Sequence, residues 1–421
     1  MELSLKNIGK IDTASVLIDG ITIIAGENNT GKSTVGRALF SVFSCFNDIE
    51  EKVRLEREES VGKIVDIICR NVTHRWTHAF RDLSKQIAHN IIARIDLFRN
   101  DAGLIRDEVL YSIIRKDEEY SGRLNIDEDI LRIKELLNVS DADIFRSVLK
   151  KKLDAEFNGQ INNIFSDSMG EIRLQIQDEH MVITVKENSV IAVEDSISLH
   201  TEAIYLDDPF VLDDSQYFPL GYNPDYTDHR TYLKYKLLFS MKETNVVEEI
   251  VINNKFEKIY SIIASVCSGD LVRNKQTGFE YRRKNSDKIL DVRNLSTGLK
   301  TFAILKILLQ NGIIEYNGTI ILDEPEIHLH PEWQLLFAEL IVLLHKEFSM
   351  HILLNTHSPY FLRAIQVYSA RYKVADKCKY YLSEVTGDNA NVSDVTDNVE
   401  KIYFKLARPL QQIEDERWQD D

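Results

Sequence analysis

The run Gly26-Glu27-Asn28-Asn29-Thr30-Gly31-Lys32-Ser33-Thr34 constrains this chain most, because it directly follows the β-branched stretch ITIIA and opens a helical pattern at Ser33. A G-x-x-x-x-G-K-[ST] sequence in that setting is a strand, a phosphate-binding loop and a helix in consecutive order. Its glycines let successive backbone N–H groups converge on phosphate oxygens, and the helix N-terminus adds the positive end of its dipole. Gly26, Asn28, Asn29, Thr30, Gly31, Lys32, Ser33 and Thr34 are therefore the candidate phosphate-binding residues. Lys32 neutralises β/γ charge and is a candidate catalytic residue, and the Ser33 hydroxyl is a candidate Mg²⁺ ligand. The alternative is a glycine-rich turn that binds nothing, and the strand before it and helix after it argue against that.

Three later segments supply what such a loop needs. Thr319-Ile320-Ile321-Leu322 ends in Asp323-Glu324, which puts Asp323 at the tip of a buried strand, placed to hold Mg²⁺ through water. Glu324 is then the candidate that orients or deprotonates a water for in-line attack on a γ-phosphate, although an acidic strand end also serves to cap the next helix. Asn355-Thr356-His357-Ser358-Pro359 follows the apolar run HILL, 34 residues past Asp323. An imidazole at a strand end can hydrogen-bond a γ-phosphate and report its loss. A single histidine there is more often structural; its place in the constellation singles out His357. Leu295-Ser296-Thr297-Gly298-Leu299-Lys300 begins a helix just before the acidic strand, and Ser296 with the N–H groups around Gly298 forms an anion site or a simple N-cap. ATP and Mg²⁺ are the expected cofactors. His328 and His330 with Glu326 make only a weak metal pattern, lacking further ligands of fitting spacing.

Asp323 lies 291 positions after Lys32, which means that a large segment is inserted between two halves of one nucleotide site. The pattern divides into 1–47, the N-terminal part of the ATPase lobe; 48–165, a helical insertion without a sustained heptad; and 166–228, an antiparallel β segment followed by a return strand. A helical segment over 229–277, with a break expected near Thr244, and a C-terminal ATPase lobe over 278–421 complete it. The β segment turns near Asp178-Glu179 and Glu187-Asn188. The last third alternates strand and helix, which implies a largely parallel sheet with ligands at the carboxyl ends of its strands.

Composition narrows the partners. An excess of 67 acidic over 51 basic residues, a net charge of −16, opposes a passive nucleic-acid coat. DNA binding therefore needs a local basic stripe, for which Arg282-Arg283-Lys284 and Lys150-Lys151-Lys152 are the candidates, although such runs are usually solvated faces. Cys45, Cys69, Cys267 and Cys378 show no C-x-x-C spacing, so a reduced cytoplasmic setting is expected. No apolar run reaches the ~20 residues of a membrane span, and no membrane association is expected.

GENNTGKST, NLSTGLK, DEPEIHLHP and NTHSP together resemble the non-transporter branch of ABC-class ATPases, the RecF, SMC and OLD-like proteins. The resemblance covers the two ends of the chain and not its middle. It implies an α/β fold, a two-lobed ABC-type P-loop ATPase head with a mainly helical insertion and an antiparallel β subdomain, and Mg-ATP-driven dimerisation with hydrolysis at the interface. Lys32 and Ser33 match the P-loop, Asp323 and Glu324 the Walker B pair, and His357 the switch histidine. Ser296 and Gly298 match the signature that completes the partner subunit's site, and the residues around His328 and His330 match the dimer-contacting D-loop. Two departures matter: LSTGLK replaces the LSGGQ of transporters, and no Q-loop glutamine stands out, Gln216 after YLDDPFVLDD having only its position in favour. No Toprim nuclease segment is recognisable after His357. The expectation is a homodimer or higher homo-oligomer that regulates a separate effector, a nuclease or toxin encoded nearby, as in the stand-alone ATPase subunits of Septu, PARIS and retron anti-phage systems. A RecF- or SMC-like DNA-repair ATPase and a slow-turnover assembly scaffold are the alternatives.

Overall fold

The computed structural model describes residues 1–73, 78–116, 125–195, 197–214, 218, 222–239, 256–274, 278–283 and 288–417. Two compact units result, Met1–Asn47 with Leu149–Asp421, and Asp48–Val148.

The first unit is built on an eleven-stranded sheet. Its strands in chain order are β1 (Glu2–Ile8), β2 (Ile11–Leu17), β3 (Ile21–Gly26), β4 (Gly170–Ile176), β5 (Glu179–Lys186), β6 (Ser189–Glu194) and β7 (Ala203–Leu206), followed from the far end of the chain by β11 (Thr319–Asp323), β12 (His351–Thr356), β13 (Cys378–Thr386) and β14 (Asn389–Asp394). A separate three-stranded antiparallel sheet holds β8 (Gly269–Asn274), β9 (Gly278–Arg283) and β10 (Ile289–Asp291). Across the large sheet the order is β6-β5-β4-β1-β2-β14-β13-β3-β12-β11-β7. The strands from β13 to β7 run parallel, and β3, β11 and β7 are buried at every residue, as continuous apolar runs covered on both faces must be. β4 to β6 form an antiparallel meander joined to β1. The register sets Asp323 opposite Asn355 and Thr356 opposite Ala25, so β11, β12 and β3 end together.

Helices cover this sheet. α1 (Lys32–Phe46) follows β3 and is almost wholly buried. The second unit holds α2 (Ile49–Thr73), α3 (His78–Ala93), α4 (Ile95–Phe98), α5 (Ala102–Lys116), α6 (Asp127–Asn138) and the start of α7 (Asp141–Phe157). Back in the first unit come α8 (His229–Phe239), α9 (Glu257–Val266), α10 (Thr297–Gln310), α11 (Pro331–Phe348), α12 (Pro359–Arg371) and α13 (Glu400–Arg417). The helical unit has its own core, including Val61, Ile68, Ile91, Val109, Ile133 and Leu137. Arg57 closes its α6 C-terminus, donating to the carbonyls of Leu136 at 2.8 Å, Leu137 at 3.2 Å and Val139 at 2.9 Å.

The α/β class, the helical insertion and the antiparallel β subdomain expected from sequence are present. Three boundaries differ. The helical unit ends at Val148 rather than at 165, because the second half of α7 buries Leu149 and Leu153 in the other unit and Asn162 bridges to Ile8 of β1. The helical segment over 229–277 contains β8, whose pairing with β9 makes a division at 277 cut through one hairpin. The first meander turn is at Gln177-Asp178, one residue early, where Gln177 takes the left-handed φ of 54°. The expected break near Thr244 lies outside the described residues.

Candidate functional site

The loop after β3 is shaped by two left-handed residues, Asn29 at φ 62° and Gly31 at φ 85°. A Cβ on Gly31 would also sit 2.6 Å from Ile11 Cδ1, so both conformation and space demand glycine there. Gly31 occupies the N-cap position of α1 without any side-chain cap, which leaves the first helical N–H groups directed at the loop. Thr30 Oγ1 donates to the Glu27 carbonyl at 2.9 Å, and Ser383 Oγ on β13 donates to the Thr30 carbonyl at 2.7 Å. Lys32 is buried and closes the loop on itself, with Nζ donating to the Gly26 carbonyl at 3.1 Å and the Glu27 carbonyl at 2.7 Å. Ser33 is half-buried beside it.

Facing this loop are the ends of β11 and β12. Asp323 is buried; its Oδ1 accepts from Asn355 Nδ2 at 2.9 Å and its Oδ2 from the Tyr205 hydroxyl at 2.9 Å. Both donors are neutral, so the carboxylate's charge is not cancelled by them, which suits a divalent cation. Mg²⁺ is ordinarily held by one or two protein oxygens plus phosphate oxygens, and Ser33 with Asp323 meets that description. Among the described residues no group of three His, Cys, Asp or Glu side chains forms a metal cage. Glu326 instead accepts from the Thr356 hydroxyl, and the His328 ring packs edge-on against Phe210 at 5.8 Å.

Glu324 takes an unusual φ of 49° and donates its backbone N–H to the Asn355 carbonyl at 2.9 Å. That conformation directs its carboxylate towards the loop, where Oε1 lies 3.3 Å from Lys32 Nζ and 3.3 Å from His357 Nδ1. The His357 nitrogen is at ion-pair distance without hydrogen-bond alignment. Lys32, Glu324 and His357 are thus brought together, with Asp323 one residue from Glu324. Thr356 Oγ1 also accepts the Ser358 N–H at 3.0 Å, which fixes the backbone after His357. Burial raises the Glu326 carboxyl above its ordinary pKa, opposed by the Thr356 hydrogen bond.

Ser296 is exposed at the N-cap of α10 and makes no side-chain cap bond. Gly298 packs against the segment after Glu324, since a Cβ there would meet the His328 carbonyl at 3.0 Å and Trp333 Cε3 at 3.1 Å. Among the described residues no hydrogen bond or ion pair joins Ser296 or Gly298 to Lys32, Asp323, Glu324 or His357. Gln216 and Lys284 lie outside the described residues. Arg282 and Arg283 are exposed, but the Lys150-Lys151-Lys152 stripe is broken. Lys152 is buried over the Phe40 ring at 4.2 Å and donates to the Thr227 carbonyl at 2.7 Å, and burial brings its pKa down to about 8. A helical period places it on the inward face, where three consecutive lysines in sequence suggested an outward one.

Sequence reasoning missed a second layer. Tyr205 is buried in β7, and burial, then the Asp323 charge, holds its phenol protonated well above the usual tyrosine range. His229, from α8, stacks on it with ring centroids 4.2 Å apart. Its Nδ1 lies 2.5 Å from Glu156 Oε1 and its Nε2 3.0 Å from Asp207 Oδ2, the latter an ion-pair distance without hydrogen-bond alignment. Burial lowers the imidazole pKa, and the two carboxylates overcome this and raise it to about 9. Asp207, despite burial, is held at about 2 by His229 and Arg230.

A family model described as "AAA domain, putative AbiEii toxin, Type IV TA system" matches residues 21–363. No curated protein matches the chain. Among solved structures, an SMC head bound to the C-winged helix domain of ScpA aligns at 12% identity over 93% of this chain and 96% of that one, with a TM-score of 0.40. The SMC head domain from Thermotoga maritima aligns at 10% identity over 94% and 98%, with a TM-score of 0.37. The ATP-binding cassette of an ABC transporter in its ADP conformation aligns at 12% over 96% and 99%, with a TM-score of 0.32.

Proposed function

This chain belongs to the AAA-domain family whose model spans residues 21–363, with the fold of an ABC-class P-loop ATPase, and on that premise we propose that it binds Mg-ATP, hydrolyses it between two copies, and thereby regulates a separate effector. The observation that carries the catalytic part is the convergence of Lys32 and His357 on one Glu324 carboxylate oxygen, each at 3.3 Å, beside the uncapped N-terminus of α1.

In this reading Lys32 exchanges the loop carbonyls and Glu324 for β/γ-phosphate oxygens. Glu324, released from that pair, orients a water in line with the γ-phosphorus and takes its proton. His357 hydrogen-bonds the γ-phosphate, so its loss is felt at the backbone held between Thr356 and Ser358. Ser33 and Asp323 would hold Mg²⁺, which would supply neutralisation of phosphate charge. Ser296 and Gly298 from a second copy close the site, since Ser296 is exposed, its side chain caps no helical N–H, and among the described residues it makes no hydrogen bond or ion pair with its own chain's catalytic group.

The effector is proposed to be a nuclease or toxin, in an anti-phage setting. The DNA-repair reading is weaker, because net charge is −16 and Lys152 is buried. A slow-turnover scaffold differs only in rate. Lys32→Ala is expected to abolish ATP binding; Glu324→Gln is expected to bind ATP and dimerise without turnover. Unchanged hydrolysis by Glu324→Gln would refute the water-activating role. Co-purification with the product of an adjacent gene supports the effector reading, and steeply salt-dependent DNA binding by the isolated chain would favour repair.

A further inference from the structure

The described cavity in the helical unit is lined by Arg57, whose guanidinium is already committed to three carbonyls, and the exposed apolar residues of the first unit have nothing that defines an occupant. Among the buried groups that the proposed mechanism leaves unused, Tyr205 touches Asp323. We infer that Tyr205 is a positioning residue that aims Asp323 at the metal, reaching it through a notch kept open by Gly36. This rests on the nucleotide-binding reading above and deepens it.

Register supplies the first part. Tyr205 pairs with Ile321 across the parallel β7/β11 ladder, and Ile321 and Asp323 share one face of β11 because side chains alternate. The phenol therefore lies diagonally behind Asp323, and its hydroxyl closes on Oδ2 at 2.9 Å. Asn355, opposite Asp323 on β12, takes Oδ1 at 2.9 Å. Two donors on two different strands fix the plane of one carboxylate, which neither does alone.

Gly36 supplies the second. It sits in the second turn of α1, an unfavourable place for glycine, and no positive φ requires it there. A Cβ at Gly36 would approach the Tyr205 hydroxyl oxygen to 3.0 Å, Tyr205 Cζ to 3.2 Å and Ile321 Cγ2 to 3.0 Å. The missing methyl is the space the phenol uses. The third part is the anchor: the His229 ring stacks on the phenol at 4.2 Å and is itself held between Glu156 and Asp207, so the ring cannot swing away from Asp323. Orienting partners of metal-binding side chains are worth roughly 10- to 100-fold in metal affinity, and a single hydroxyl belongs near the lower end, roughly tenfold.

The test uses the full chain and a fluorescent ATP analogue, with Mg²⁺ titrated and a parallel series in EDTA. Tyr205→Phe removes one hydroxyl and keeps the ring. It is expected to raise the Mg²⁺ concentration for half-maximal nucleotide binding about tenfold, with binding in EDTA unchanged. Gly36→Ala is expected to shift the Mg²⁺ requirement in the same direction by displacing the phenol, and the double variant to be no worse than the worse single one, because both act through one contact. Competition by Mn²⁺, followed by its spin-resonance signal, reads the same affinity without catalysis. A wild-type Mg²⁺ requirement in both single variants overturns the inference, as does an equal loss of affinity in EDTA. If wild type binds nucleotide and Lys32→Ala does not, such a result sinks only the role of Tyr205; if wild type binds none, the nucleotide reading itself fails.

Discussion

His229 makes the stability of this protein depend on alkaline pH in a calculable way. The imidazole rises from an ordinary 6.5 to about 9 on folding, because the carboxylates of Glu156 and Asp207 outweigh the cost of burying it. A folded pKa above the unfolded one means that the folded state binds the proton more tightly. The stabilisation is therefore complete below the unfolded value of 6.5 and disappears as pH rises through about 9. A shift of this size, at 1.36 kcal/mol per pH unit, is worth about 3 kcal/mol. Lys152 works in the opposite direction: its pKa falls to about 8 by burial, so deprotonation above that value favours the folded state. The wild-type curve alone mixes the two. The informative quantity is the difference between wild type and His229→Gln, measured by urea unfolding at pH 6, 7.5 and 9.5. Around His229 the partners are Glu156 on α7, Asp207 just past β7 with Arg230 behind it, and the Tyr205 and Phe40 rings. The difference is expected to shrink by about 3 kcal/mol between pH 6 and pH 9.5. A difference that stays constant with pH would show that His229 folds neutral and refute the ion triad.

Three further outcomes follow from single contacts. Glu326→Gln keeps a partner for the Thr356 hydroxyl and removes a carboxyl whose ionised form burial disfavours, so it is expected to be neutral or stabilising at pH 8; Glu326→Ala, which strands that hydroxyl, is expected to cost about 1–3 kcal/mol in the same urea assay. Gly298→Ala places a methyl 3.0 Å from the His328 carbonyl, so ATP-dependent dimerisation measured by light scattering is expected to weaken while ATP binding by the monomer stays within about twofold, a free-energy change of less than 1 kcal/mol. Cys45, Cys69, Cys267 and Cys378 are buried, and none is expected to react with a thiol reagent before unfolding; one fast thiol in the native protein contradicts the packing around it.

What sequence exposed and what it concealed divide along a physical line. Asp323, Glu324 and His357 stand at or just past the ends of apolar strands, and Lys32 and Ser33 open the helix after a third, each in a local pattern a few residues long that is visible in sequence; strand order brings those strand ends together. The interior alternation of residues 171–193 likewise announced its meander, since period two is a local property. Tyr205, His229, Glu156 and Asp207 carry no such signal. They sit on β7, α8 and α7, brought together only by the inserted segment's return, and each alone looks like an ordinary strand tyrosine, surface histidine or helix acid. Lys152 failed for the same reason: three consecutive lysines advertise charge, whereas burial is decided by which face of α7 meets α1.

Gly36 is the instructive middle case. A glycine one turn into a helix that needs no left-handed backbone is an anomaly visible in the sequence, and the anomaly has a cause only when the partner occupying its space is known. Paired with Tyr205, it ties position 36 to the acid 2.9 Å beyond the phenol rather than to the helix. The geometry around the two acids differs: Asp323 is gripped from both neighbouring strands, while Glu324, one residue on, leaves the strand at φ 49°, and among the described residues its carboxylate is paired with Lys32 and His357. In the proposed reading, an acid fixed between two strands beside a carboxylate able to exchange partners suits a water-activating role, because the first must not move when the second does.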